Sequence, residues 1–272
     1  MLPAAPPAPA AGEPPQASGR FEADGVAFEV AGAYAFPALV GLGEVPGTRV
    51  AISNAIFQAE FVDRLWLRER AINRDFVDEE TAVAYLEFDA GGAFLGATWY
   101  FGPGTGCGFC REAETASTVA LRGGRLAGRV TARGEGRGYE VTLDLPVAPE
   151  LPGREIARDG GEAGRAYLAW HAALAGRDWP ALLALVEPEE RPRFEAARAE
   201  GLDLFARLGA GRARTVRIVR AFAHADWVTL LVEGEGEAGR MHGEARLRRQ
   251  GGAYRFHDEL FDPGDWPEER RP

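Results

Sequence analysis

The sequence predicts two domains, an all-β antiparallel sandwich or small barrel over 21–148 and an α+β domain over 161–262. Three observations carry this. Short β-branched and aromatic runs between glycine turns fill the first half. A proline-rich break, Leu145-Pro146-Val147-Ala148-Pro149-Glu150-Leu151-Pro152-Gly153, follows them. The remainder opens on helical periodicity and closes on alternating strands. With 272 residues, 46% of them hydrophobic and 10% aromatic, the chain can bury a sizeable core in each half.

Residues 1–20 are dominated by proline and alanine without apolar periodicity, and read as an extended, disordered tether. Residues 25–30 alternate around Phe28, 33–36 continue the period until Pro37 ends it, and 49–52 form another strand. Residues 60–72, with Phe61, Leu65 and Ile72 at helical offsets, predict the helix of this half. Residues 82–88 and 93–101 predict a hairpin about Asp89-Ala90-Gly91-Gly92. A glycine-rich loop from Gly102 then holds Cys107-Gly108-Phe109-Cys110, and 111–114 read as a solvated strand end. Strands at 117–121, 125–132 and 139–145 complete the meander, a pattern shared by sandwiches and small barrels.

Residues 149–160 read as a linker. Residues 162–174 place Tyr167, Leu168, Trp170, His171 and Leu174 on a broad helical face, and Ala175-Gly176-Arg177 ends the helix. Asp178 is positioned to cap a second helix over 179–186, with Pro180 tolerated in its first turn. Residues 189–208 read as a third helix. Strands follow at 215–223, 227–233, 243–249 and 253–260, and 263–272 read as a flexible tail.

This order, three helices and then a curved antiparallel sheet, resembles the ketosteroid-isomerase-like, or SnoaL-like, cone fold. The likeness spans about 160–262. It rests on Ala166-Tyr167-Leu168-Ala169-Trp170-His171-Ala172-Ala173-Leu174-Ala175-Gly176-Arg177-Asp178-Trp179 and on Gly251-Gly252-Ala253-Tyr254-Arg255-Phe256. The resemblance implies helices closing a sheet into a pocket. It leaves function open, because the family holds isomerases, epoxide hydrolases and non-catalytic binding or accessory domains.

Candidate pocket groups are His224, His242, His257, Asp258 and Glu259, with Trp170 and Trp227 as walls. An isomerase needs a carboxylate base facing an apolar cavity and a donor for the enolate, for which His257 and Asp258 are the catalytic candidates. Neighbours on a regular strand face opposite ways, so only one of the two can look inward. The competing reading has His171 packing on its helix and His257 and Asp258 decorating a strand.

Composition narrows the classes. The net charge is −10, the sequence pI is near 5.1, and the arginines are scattered, so no nucleic-acid partner is expected. All 31 basic residues are arginine, which excludes Schiff-base and pyridoxal-phosphate lysines and the P-loop lysine. The arginine bias fits a GC-rich genome. No membrane-spanning segment and no cofactor is expected. Serine occurs only at Ser18, Ser53 and Ser117, none in a nucleophile elbow.

Cys-Gly-Phe-Cys is similar to the active-site motif of thioredoxin-type oxidoreductases, over these four residues. Its setting lacks the helix that motif requires, and Glu112 and Glu114 beside it are expected to raise a thiol pKa. One pair supplies half a zinc site, and the first half has no histidine. A disulfide between Cys107 and Cys110 that clasps the loop, or two inert thiols in a cytoplasmic protein, fits better. Tether and close pair together favour a periplasmic or secreted protein of the bacterial envelope, with a cytoplasmic one as the alternative. The leading expectation is non-enzymatic binding of a small molecule or protein partner. An isomerase or hydrolase using the second-half pocket and a thiol oxidoreductase are the alternatives.

Overall fold

The computed structural model describes residues 17–57, 72–73, 81–102, 105–148, 153–201, 203–237 and 239–266. They form two compact units, one running through Ala148 and one from Gly153. The described residues are built mostly from antiparallel strands, with four helices.

The first unit holds β1 (Ala17–Ala23), β2 (Val26–Glu29), β3 (Gly32–Val40), β4 (Val45–Ser53), β5 (Val83–Asp89), β6 (Phe94–Gly102), β7 (Thr105–Cys110), β8 (Glu114–Ser117), β9 (Ala120–Arg122), β10 (Arg125–Gly134) and β11 (Arg137–Pro146). One sheet has the order β2-β1-β11-β10-β8, with β9 also on β10, and the other β3-β4-β5-β6-β7. Strict alternation in β11 buries Tyr139, Val141, Leu143 and Leu145, and these share one core with Val50, Ile52, Leu86 and Trp99 of the other sheet. Phe21 lies fully buried there, stacked on Phe28 at 5.5 Å and on Tyr139 at 5.2 Å.

The structure redraws several expected boundaries in this unit. Residues 17–20 belong to β1, paired with β11, because the alternation that buries Phe21 extends back to Ala17. Residues 1–16 of the expected tether lie outside the described residues, as does the helix at 60–72 apart from Ile72, which is fully buried. The expected strand at 117–121 divides into β8 and β9. Gly128, with φ +138°, brings β10 so close to Thr118 and Val119 that a Cβ there meets their backbone at 2.6 Å. The cysteine pair sits in strand β7 rather than in a loop.

The second unit holds β12 (Arg154–Glu155), α1 (Gly161–Ala175), α2 (Trp179–Leu185), α3 (Arg191–Ala199), α4 (Leu204–Gly209), β13 (Thr215–His224), β14 (Trp227–Gly236), β15 (Gly239–Gln250) and β16 (Ala253–Pro263). The sheet runs β12-β13-β14-β15-β16, all antiparallel, and α1 packs on β16. Asp178 caps α2 by accepting from the Ala181 N–H at 3.1 Å. The expected third helix is two, because Gly201 turns left-handed at φ +79° and Asp203 starts α4 by accepting from Ala206 N–H. Part of the expected linker, Arg154–Glu155, is edge strand β12, tied to β13 through Glu155 and Arg220 at 3.0 Å. In the expected tail, Trp266 is buried against Val219, Phe222 and Leu231; residues 267–272 lie outside the described residues. Among the described residues no helix is long and apolar enough to cross a membrane.

Candidate functional site

The site in the second unit begins with a bulge. In β16, Phe256 pairs with Leu247 and Asp258 with Arg246, so His257 is an extra residue with no partner of its own. The side-chain alternation therefore restarts after His257. Phe256, Glu259 and Phe261 all join the face that meets α1, while Asp258 turns to the opposite face. Of the two adjacent carboxylates on β16, Glu259 is thus the inward one.

Helix α1 meets this strand with Tyr167, Trp170 and His171, which share a face because they stand at i, i+3 and i+4. Trp170 is fully buried and stacks on Phe256 at 3.8 Å. Beside that stack the Tyr167 hydroxyl donates to Glu259 Oε2 at 2.9 Å. His171 Nε2 stands 3.1 Å from the same oxygen and 3.0 Å from the Tyr167 oxygen. Tyr167 donates its O–H to the carboxylate, and an Nε2–H tautomer of His171 adds a second donor to the same oxygen. Arg212, between α4 and β13, completes the group with Nε 2.7 Å from Glu259 Oε1 and its guanidinium carbon 4.8 Å from the centre of the Trp170 ring.

The electrostatics follow from this packing. Burial pushes the Glu259 carboxyl up, but the Arg212 charge and the His171 and Tyr167 hydrogen bonds outweigh it and hold the group below its ordinary value. Burial first, and the Glu259 charge second, hold the Tyr167 phenol well above its ordinary value. The carboxylate is thus ionised and the phenol protonated over the whole neutral range.

The network leaves three polar atoms over. Glu259 Oε1 meets Arg212 Nε as an ion pair without an aligned hydrogen bond, Arg212 Nη1 has no acceptor, and neither does Trp170 Nε1, although all three are buried. Buried polar atoms are normally satisfied, so the two donors beside this ion pair are the exceptional atoms of the group.

The other candidate residues lie apart from this group. His257 Nδ1 is 3.0 Å from Glu187 Oε2, and its ring meets Trp227 edge-on at 4.9 Å. Asp258 holds Arg246 through both oxygens. His224 is an exposed strand end and the cross-strand neighbour of Trp227. His242 packs on Trp266 at 4.5 Å and reaches the Gly264 carbonyl through Nδ1. Cys107 and Cys110 are joined in a disulfide. Sequence reasoning placed Tyr167 and Trp170 on one helical face and named Glu259, but it left out Arg212 and gave His171 a packing role. The bulge that brings Glu259 inward is seen only in the ladder to β15, and no local period announces it.

Comparison with protein-family models gives no match to this chain, and comparison with curated proteins gives none either.

Proposed function

We propose that the protein is a bacterial envelope protein that binds a small polar molecule in the interior of its helix-and-sheet unit without transforming it. The observation that carries this reading is the convergence of Tyr167, His171 and Arg212 on the buried Glu259 carboxylate, beside which the buried Arg212 Nη1 and Trp170 Nε1 have no acceptor. Arg212 Nη1 and Trp170 Nε1 supply two donors for a ligand. The ketosteroid-isomerase-like cone for 161–262 and a β-sandwich for the first half belong to the same proposal. What supports them is the order of helices and antiparallel strands in one unit and the core shared by two sheets in the other. The disulfide supports the envelope.

The test is a thermal-shift panel of small amides, carboxylic acids and hydroxy acids. At least one is expected to raise the melting temperature of the wild type and to lose that effect in Trp170→Phe, which keeps a ring but no indole N–H. A panel without a single stabilising compound overturns the reading. An enzyme is favoured by one feature, a phenol, an imidazole and a carboxylate within 3.1 Å of one another. Turnover of an unsaturated ketone or an epoxide that disappears in Glu259→Gln decides for it.

A further inference from the structure

Cys107 and Cys110 lie in β7, the edge strand of its sheet. The ladder to β6 pairs Ala97 with Cys110 and Trp99 with Cys107, so two residues of β7 stand opposite Thr98 alone. The disulfide spans this bulge, where pairing is locally open. Neither cysteine is fully buried.

One cation addresses one of the two sulfurs. Arg137, on β11, donates from Nη1 to Cys110 Sγ at 3.6 Å. Asp24 holds the guanidinium from its other side at 3.1 Å, and the Trp99 ring lies 5.3 Å from it. The Trp99 indole N–H in turn donates to Asp24 at 2.9 Å. Glu112 stands 3.8 Å from the same Nη1. The Tyr139 hydroxyl is buried without a partner, and burial and the Glu112 charge hold it protonated. Of the two carboxylates expected to raise a thiol pKa, Glu112 thus shares the Arg137 nitrogen with Cys110 and offsets part of its charge. Asp24 and Glu112 flank the guanidinium, and Glu114 stands across from Arg133 in the ladder between β8 and β10. No such donor stands at Cys107 among the described residues.

We propose that Cys107–Cys110 is an exchangeable redox site, reduced by a dithiol that attacks Cys107 and expels Cys110. A thiolate of the dithiol bonds to Cys107 Sγ, the S–S bond breaks, and its electron pair leaves on Cys110, whose thiolate the Arg137 guanidinium stabilises. The second thiol of the reductant, deprotonated, then attacks its own sulfur in the mixed disulfide. Cys107 is released as a thiolate and takes a proton from water. The protein gains two electrons and the dithiol becomes a disulfide. Attack at Cys110 leaves the charge on Cys107, where no cation among the described residues receives it, so the reaction is polarised in one direction.

The full chain is reduced, freed of reductant and alkylated with iodoacetamide over a pH series, with each cysteine followed by mass spectrometry. Near pH 6.5 Cys110 is expected to react about tenfold faster than Cys107, as an adjacent cation favours the thiolate. Arg137→Gln should remove that difference, and Glu112→Gln should enlarge it. Partial reduction with glutathione, quenched by acid, should leave the mixed disulfide on Cys107. Equal reactivity of the two thiols in the wild type, or glutathione on Cys110, overturns the proposal without reference to any variant.

Discussion

Phe256 and Glu259 stand three apart on one strand, yet both face helix α1, because the bulge at His257 shifts the alternation by one residue. On a regular strand they point to opposite faces. The bulge thereby delivers a carboxylate to Tyr167, His171 and Arg212, and its consequences are measurable.

Glu259→Ala leaves the Arg212 guanidinium, 19% exposed, beside an empty space in the core. Removing one partner of a buried pair costs about 3–5 kcal/mol. Urea denaturation should show a loss of this size, and a loss below about 1 kcal/mol would falsify the view that the pair is buried and mutually dependent.

The pH dependence has a definite sign. The Glu259 carboxyl lies lower in the folded chain than its ordinary value of 4.5, so the unfolded chain binds its proton first as pH falls. The stability it contributes is complete above the unfolded value and disappears as pH drops through the folded one. Tyr167 runs the other way. Its raised phenol contributes stability below its ordinary value of 10, lost as pH rises beyond it. Urea midpoints of Glu259→Gln should fall less steeply on the acid side than those of wild type, and those of Tyr167→Phe less steeply on the alkaline side. Unchanged slopes in both variants contradict the assignment.

Gly164, in the first turn of α1, abuts the Asp159 carbonyl so closely that a Cβ overlaps it. Gly164→Ala must therefore displace the segment that enters the helix, and overpacking of this kind costs about 1–3 kcal/mol. A thermal melt equal to wild type means that the segment moves freely.

The disulfide closes a very short loop, so its entropic contribution to global stability is about 2 kcal/mol on the chain-entropy model. The double variant Cys107→Ser, Cys110→Ser should remain folded and lose no more than that in urea. A collapse of the first unit would show the bridge to be essential to the sheet rather than a local tie across its bulge.

Elements set by near neighbours were legible in the chain. The face of α1 follows from Tyr167, Trp170 and His171 at helical spacing, the cap of α2 from Asp178, and β11 from alternation through Tyr139 and Leu145. Each depends on residues within a turn or a strand of one another, and the antiparallel, β-rich class follows from their sum. Only the tertiary structure decided which carboxylate enters the second unit and which sulfur meets a cation. Glu259 turns inward because the ladder to β15 skips His257, and Arg212 reaches it from a loop 47 residues earlier in the chain. Arg137 reaches Cys110 across 27 residues because β7 and β11 supply strands to the two sheets of one core. Strand register and sheet packing are collective properties of many pairings, and no local period encodes them.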